Sequence, residues 1–302
     1  MQVSSVSKPR QSLLGLLKDL YEITKPKVVF MLVITAIVGM VLAQEGWPNG
    51  ERLIIASLGI GLLSAAAAAM NHIVDQKIDA KMARTYNRPI AKGRVTNEQA
   101  VGFAFLLAGL GFGLLYAWIN PLTAWLTLAS LFGYAVVYTL FLKRMTPQNI
   151  VIGGLAGAMP PLLGWVAMTG ELHPFSLLLV MIIFTWTPPH FWALAIHRRD
   201  DYARVNIPML PVTHGLSFTK NAIVLYTVLL TLVCFLPYLV AMTGLIYLVS
   251  STILNVIFLH YAWRLKTTES PTIAMDTFKF SIWHLLVIFV ALLVDHFYLI
   301  RW

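Results

Sequence analysis

The chain has 302 residues, of which 58% are hydrophobic and only 12% charged, with a formal net charge of +9. Soluble domains carry about a quarter charged residues, so the composition excludes one and calls for a bilayer as solvent. The basic residues sit in short loops between apolar runs, a pattern that reads as membrane topology and excludes a nucleic-acid partner.

No apolar core ending in a small-residue cleavage site occupies the first twenty residues, so no cleavable signal is expected. Leu13, Leu17, Leu20 and Tyr21 stand at helical spacing with Lys18 and Asp19 elsewhere, which predicts a helix lying flat in the interface. Nine apolar runs follow, over 28–46, 52–74, 98–118, 121–141, 149–168, 175–196, 219–241, 244–263 and 281–300. Each is close to the ~20 residues that carry a helix across about 30 Å of hydrocarbon. The predicted fold class is an all-α polytopic membrane protein, a bundle of about nine transmembrane helices around a central cavity. Residues 1–302 read as one transmembrane domain, with 1–27 as an amino-terminal segment.

If the spans alternate, the long connections 75–97, 197–218 and 264–280 share a side with the amino terminus. Lys and Arg number twenty on that side, against Arg52 and Arg301 on the other. This asymmetry predicts a cytoplasmic amino terminus and an external carboxyl terminus. A bacterial cell membrane is expected over the mitochondrial inner membrane, because no transit peptide precedes the first span.

The second span turns polar at its end. Asn71, Asp75 and Asp79 stand at i, i+4 and i+8, placing an amide and two carboxylates on one helix face within about 12 Å of rise. Like charges at this spacing repel, so a cation is expected beside them. Oxygen ligands without matching histidine or cysteine suit magnesium, which takes one or two carboxylates plus phosphate oxygens and waters. Arg84 and Arg88 follow with the same spacing of four and offer guanidinium forks to phosphate. Lys77, Lys81 and Lys92 read as solvated loop charges that set topology.

In the sixth span, Pro188 and Pro189 should break the hydrogen-bond ladder, an irregularity tolerated where it lines a cavity. His190 and His197 are seven residues apart, near one face, and Asp201 continues that line. Histidines in spans are commonly hydrogen-bonded packing residues; two on one face beside tryptophans make a substrate contact an equal alternative. Trp165, Trp186, Trp192 and Tyr138 are candidates for an apolar substrate path, although any one of them reads equally as packing. The single Cys234 lies in an apolar run and reads as a small buried hydrophobe, with no disulfide and no cysteine metal cluster. The second and sixth spans both turn polar at their ends, a weak sign of a duplicated half.

The run Asn71, Asp75, Asp79, Arg84, Thr85, Arg88 and Gly93 resembles the signature of the membrane-embedded prenyltransferase superfamily, and the nine-span plan matches over nearly the whole chain. The resemblance implies that Asn71, Asp75 and Asp79 hold a prenyl diphosphate through Mg2+ with help from Arg84 and Arg88. Family members carry a second aspartate motif after the sixth span. Here that place reads His197-Arg198-Arg199-Asp200-Asp201-Tyr202, with histidine replacing the usual first aspartate. This leaves Asp200, Asp201 or both for a second magnesium and Arg198 and Arg199 for the diphosphate. Thr187-Pro-Pro-His190-Phe-Trp192, the Asp201-Tyr202 pair and Ile207-Pro-Met-Leu-Pro211 look like the haem-farnesylating branch. That likeness implies farnesyl diphosphate as donor, haem b as acceptor and His190 and His197 as haem contacts. A haem-modifying enzyme or terminal oxidase is then the candidate recipient of the product.

Two other readings compete. A relative acting on a phenolic quinone precursor such as 4-hydroxybenzoate would share the aspartate site without haem contacts. A cation-coupled transporter would use intramembrane carboxylates, but both aspartates fall at a membrane edge and not at the midplane.

Overall fold

The computed structural model describes residues 12–82 and 85–298, and every regular element among them is helical. The first, α1 (Leu13–Ile23), starts where the Ser12 hydroxyl accepts the Gly15 N–H at 3.1 Å, an N-cap that satisfies one of the free donors of the first turn. Leu13, Leu14, Leu17 and Tyr21 form an exposed apolar face. Leu16, Leu20 and Ile23 pack inward against Ala69 and Ile90. The outward face is the one expected to lie in the interface. On the inner side the Asp19 carboxylate is buried and accepts from Arg94 Nε at 3.1 and 3.2 Å, which ties α1 to the loop after the second expected span.

The chain then bends by 50° into α2 (Pro26–Leu42). The junction is Lys25, a non-glycine residue at φ 52°, and Pro26 opens α2 with its φ already set for a helix. After α2 come α3 (Gly50–Asp79), α4 (Asn97–Trp118) and α5 (Pro121–Phe132). A π-helical stretch, Gly133–Leu142, continues α5 into the short α6 (Lys143–Met145). Then follow α7 (Asn149–Ala158), α8 (Pro160–Thr169), α9 (Pro174–His197), the short α10 (Arg199–Arg204) and α11 (Leu210–Thr213), α12 (Gly215–Leu239), α13 (Leu245–Thr267) and α14 (Ile273–Phe297).

Among the described residues eight helices are long and apolar enough to cross a bilayer, and the bent pair α1 and α2 makes a ninth. The chain is therefore an integral, multi-pass membrane protein of the expected class. Three boundaries differ from expectation. The first span is shorter, because α2 has only 17 residues and reaches about 26 Å. The last begins at Ile273, so the connection expected over 264–280 shrinks to 268–272; polar Asp276, Thr277 and Lys279 are helical residues and not loop. The fourth span extends to Met145 and carries Lys143 and Arg144 on helix.

The backbone break also falls elsewhere. Pro188 and Pro189 lie inside a continuous α9, whereas the fifth span breaks at Met159, between α7 and α8, where Pro160 starts a new helix. The carbonyls left without donors by Pro188 and Pro189 sit in a helix packed on α7, α12 and α14, and such enclosure holds a proline-containing span together.

The core centres on α9, α8 and α2, with Leu162, Trp165, Ile182, Ile183 and Ile288 buried together. Helices α2 and α8 approach backbone to backbone. A β-carbon on Gly39 would overlap the carbonyl of Pro161, and one on Gly164 that of Ala36. Small residues provide such close crossings where lipid removes the hydrophobic drive for helices to associate. On the outside, α4 and α12 present Phe105, Leu106, Leu225 and Leu232, the surface a bilayer covers.

Candidate active site

At 30 residues α3 is about 45 Å long, well beyond the ~30 Å hydrocarbon core. Its last turns therefore leave the apolar layer while remaining helical, and those turns carry Asn71, Asp75 and Asp79. All three are buried, at 4%, 2% and 4% exposure. The expected single face is present: Asn71 Nδ2 donates to Asp75 Oδ2 at 2.9 Å.

Three cations converge on this face from three other parts of the chain. Lys25, at the bend between α1 and α2, donates its ammonium to Asn71 Oδ1. Lys143, where the π-helical stretch ends, lies 2.5 Å from Asp75 Oδ2. Arg88, from the loop after α3, donates through Nη1 to Asp79 Oδ2 at 2.7 Å. Two carboxylates thus face three cations, leaving one net positive charge. The Asp75 carboxylate keeps Oδ1 buried and without a hydrogen-bond partner among the described residues.

Local geometry explains how these groups are aimed. The Thr139 hydroxyl donates to Tyr134 O at 2.7 Å, five residues back, in the π-helical register, and accepts from Asn71 Nδ2 at 3.3 Å. The wider turn thereby orients the asparagine amide, and Lys143 follows four residues later. Thr85 closes the turn after α3 through its hydroxyl, which donates to the Asp79 carbonyl at 3.1 Å, and this brings Arg88 back onto the helix. His72 is buried on the same segment, with neither ring nitrogen hydrogen-bonded among the described residues.

Lys25, Lys143 and Thr139 were not singled out in the sequence. The one available signal was the demand for a cation beside paired carboxylates; which lysine answers it depends on contacts 46 and 68 residues apart. Arg84 lies outside the described residues.

The second motif straddles the end of α9. His197, Arg199 and Asp200 are exposed, whereas Arg198 and Asp201 are partly buried. Arg198 Nη1 stands 3.7 Å from Asp201 Oδ2, one turn on. Ile207, Met209 and Leu210 are buried with Trp192 beneath it, and Tyr202 packs against them. The Ile207–Pro211 run is thus an anchor for α10. Among the described residues no three His, Cys, Asp or Glu side chains gather closely enough to hold a metal ion. Asp200 and Asp201 accordingly do not join Asp75 and Asp79 in one protein-only cluster. A magnesium held by one or two carboxylates and a diphosphate does not require such a cluster.

His190 is deep in α9, at 7% exposure. Its ring lies between Trp186, with centroids 4.2 Å apart, and Phe278, at 4.5 Å. Nδ1 is 2.6 Å from Ser281 Oγ, and Ser281 Oγ in turn donates to Phe278 O at 2.6 Å. With the serine proton so committed, Nδ1–H donates to Ser281, and Nε2 retains its lone pair. Of the other aromatic candidates, Trp165 stacks on His173 and Trp192 packs edge-on against Tyr226; both are core. Trp186 adjoins His190, and its indole donates to Ser281 O at 2.9 Å.

Comparison with known proteins bears on these geometries. A protohaem IX farnesyltransferase of Idiomarina loihiensis is 62% identical over 280 residues, 93% of this chain and 94% of that protein. The solved structure of a digeranylgeranylglyceryl phosphate synthase superposes with a TM-score of 0.77 at 20% identity, covering 94% of this chain and 99% of its own. A UbiA homologue from Archaeoglobus fulgidus bound to GPP and Mg2+ superposes at 0.62 with 12% identity, over 91% of this chain and 99% of its own. The family model for UbiA prenyltransferases matches residues 32–293, spanning every helix from α3 through α13, and the chain belongs to the UbiA prenyltransferase family.

Proposed function

We propose that this prenyltransferase carries farnesyl from farnesyl diphosphate to a vinyl group of haem b, with water addition, giving the hydroxyethylfarnesyl side chain of haem O. The observation that carries the acceptor is the 62% identity to a protohaem IX farnesyltransferase along nearly the full length of both chains. The donor reading rests on the Asn71, Asp75 and Asp79 face, with its surplus positive charge and the spare oxygen on Asp75.

Asp75 and Asp79 would hold Mg2+ with the diphosphate, a role for which Asp200 and Asp201 are the second candidates. Bound there, the ion supplies Lewis-acid charge to the leaving group. The chain's own contribution is the fixed array of Lys25, Lys143 and Arg88, already oriented by Asn71, Asp75 and Asp79. Arg84, Arg198 and Arg199 are the further diphosphate contacts proposed. Preorganised charge of this kind stabilises the anion as the bond from carbon to oxygen breaks and its electron pair leaves with the diphosphate. The vinyl π electrons then form the new bond to farnesyl C1. Water captures the cation next to the pyrrole ring, and its proton is released. Apolar and aromatic walls delay water until that step and favour the cation through their ring faces.

His190 suits an acceptor contact, because its proton is committed to Ser281 and Nε2 is free to bind iron or accept a hydrogen bond. His197, seven residues on along α9, is the second proposed haem contact. The whole chain acts as one bundle in a bacterial cell membrane, with the amino terminus and the aspartate face on the cytoplasmic side, a placement that the basic asymmetry of the sequence supports.

The test is incubation of membranes holding the protein with haem b, farnesyl diphosphate and Mg2+, followed by mass spectrometry of the porphyrins. A product heavier than haem b by one farnesyl and one hydroxyl is expected. Unchanged haem b alongside a prenylated phenol from an added 4-hydroxybenzoate would overturn the acceptor assignment.

A further inference from the structure

Between α13 and α14 lies a groove of about 340 Å³, remote in sequence from the aspartate face and sharing no residue with it. Tyr261 and Arg264 line it from α13; Asp276, Lys279, Phe280 and Trp283 line it from α14. The residues recur at i, i+3, i+4 and i+7 on α14, so one stripe of that helix builds the wall. Tyr261 stacks on Phe280 with centroids 4.8 Å apart and rings 17° from parallel, forming a rigid, half-buried floor. Phe278 and Ser281, which touch His190, do not line the groove.

The charges in this groove are unusual. Arg264 and Lys279 are exposed and Asp276 is half-buried, yet none of the three forms an ion pair within 4 Å among the described residues. Asp276 sits in the first turn of α14, the end of the helix that favours a negative charge. A wall that keeps two cations and a carboxylate apart fits a ligand that itself separates an anion from a cation.

We infer that the groove binds the headgroup of a phospholipid carrying a phosphate and a primary ammonium, that is, a phosphatidylethanolamine. The order of residues along α14 matches the order of groups in that lipid. The helix enters the membrane from its amino-terminal end, so Asp276 is outermost, Lys279 about 4.5 Å deeper and Trp283 about 6 Å deeper again. An ethanolamine ammonium lies on the water side of its phosphate, and the acyl chains lie below. Asp276 thus meets the ammonium, Lys279 with the Arg264 fork meets the phosphate, and Trp283, 64% exposed, flanks the upper acyl chain as interfacial tryptophans do. The carboxylate gives selectivity: it repels a purely anionic headgroup and accepts N–H donors that a trimethylated ammonium lacks.

Native mass spectrometry of the detergent-purified chain, given equal amounts of dioleoyl phosphatidylethanolamine, phosphatidylcholine and phosphatidylglycerol, tests the assignment. Phosphatidylethanolamine adducts should exceed each of the others by about fivefold, the ratio expected of one partly exposed ion pair. Asp276→Asn should abolish the preference, and Arg264→Gln with Lys279→Gln should deplete all three adducts, with helix content by circular dichroism unchanged. Inorganic phosphate at millimolar concentration should not displace the lipid; displacement would make this a free-phosphate site. Equal retention of the three lipids by the native chain, or unchanged retention in Asp276→Asn, overturns the proposal.

Discussion

The Asp75–Lys143 pair gives the sharpest test of the aspartate face, because its two halves should fail differently. Their side chains are 3% and 15% exposed and 2.5 Å apart. Lys143→Met leaves the Asp75 charge buried, with Oδ1 already lacking a partner. Removing one member of a buried pair typically costs about 3–5 kcal/mol, and little water reaches Asp75 to soften this. Asp75→Asn strands Lys143 instead, but a lysine at the membrane edge can swing its ammonium toward water. The neutral amide can also keep accepting from Asn71, so the stability loss should be about 1–2 kcal/mol. Activity should fall in both by about a hundredfold or more, the scale of losing one preorganised electrostatic contact. The double variant should be no less active than Asp75→Asn alone, since the groups act as a unit. Thermal unfolding in detergent, with product quantified by mass spectrometry, reads both quantities. Lys143→Met as stable as the native chain, or more than half of native turnover in either single variant, would refute the reasoning.

Three further outcomes are expected. Cysteines placed at exposed Asn87 and Thr267 should label from the cytoplasmic side only, and one at Asn49 from the opposite side only, with buried Cys234 silent; labelling of Asn87 from outside would reverse the topology. His190→Ala should lower haem retention or acceptor turnover about tenfold while farnesyl diphosphate binding by calorimetry stays unchanged, the loss expected for one hydrogen bond or ligand in an apolar site. A merely structural histidine would lower the melting temperature and leave haem affinity intact. Gly39→Val should lower thermal stability by about 3 kcal/mol or more, because its side chain meets the Pro161 backbone and overpacking a fixed crossing has no flexible neighbour to yield.

The class of fold was legible because apolar runs report span length directly, and Asn71, Asp75 and Asp79 were legible because their spacing follows the helical period. Lys25 and Lys143 were not. Each stands beside an apolar run, where lysine is ordinary, and only the bend after α1 and the π-helical turn before α6 aim them at Asn71 and Asp75. The two Pro-Pro pairs show the same limit: composition treats Pro160-Pro161 and Pro188-Pro189 alike, yet only the former interrupts its helix. What separates them is enclosure by neighbouring helices, a property of the assembled bundle. The start of α14 was misplaced for a related reason, since Asp276, Thr277 and Lys279 lower the local hydrophobicity while lying on helix at the interface.

The length of α3 has a kinetic consequence. Its polar face stands where the helix leaves the hydrocarbon, so an amphiphile can reach it by moving sideways within one leaflet, keeping its head in water and its tail in lipid. For such an enzyme the effective substrate concentration is a surface density and not a bulk molarity. Diluting proteoliposomes with inert lipid at constant total substrate should slow turnover, whereas diluting the same vesicles with buffer should leave the rate per enzyme nearly unchanged.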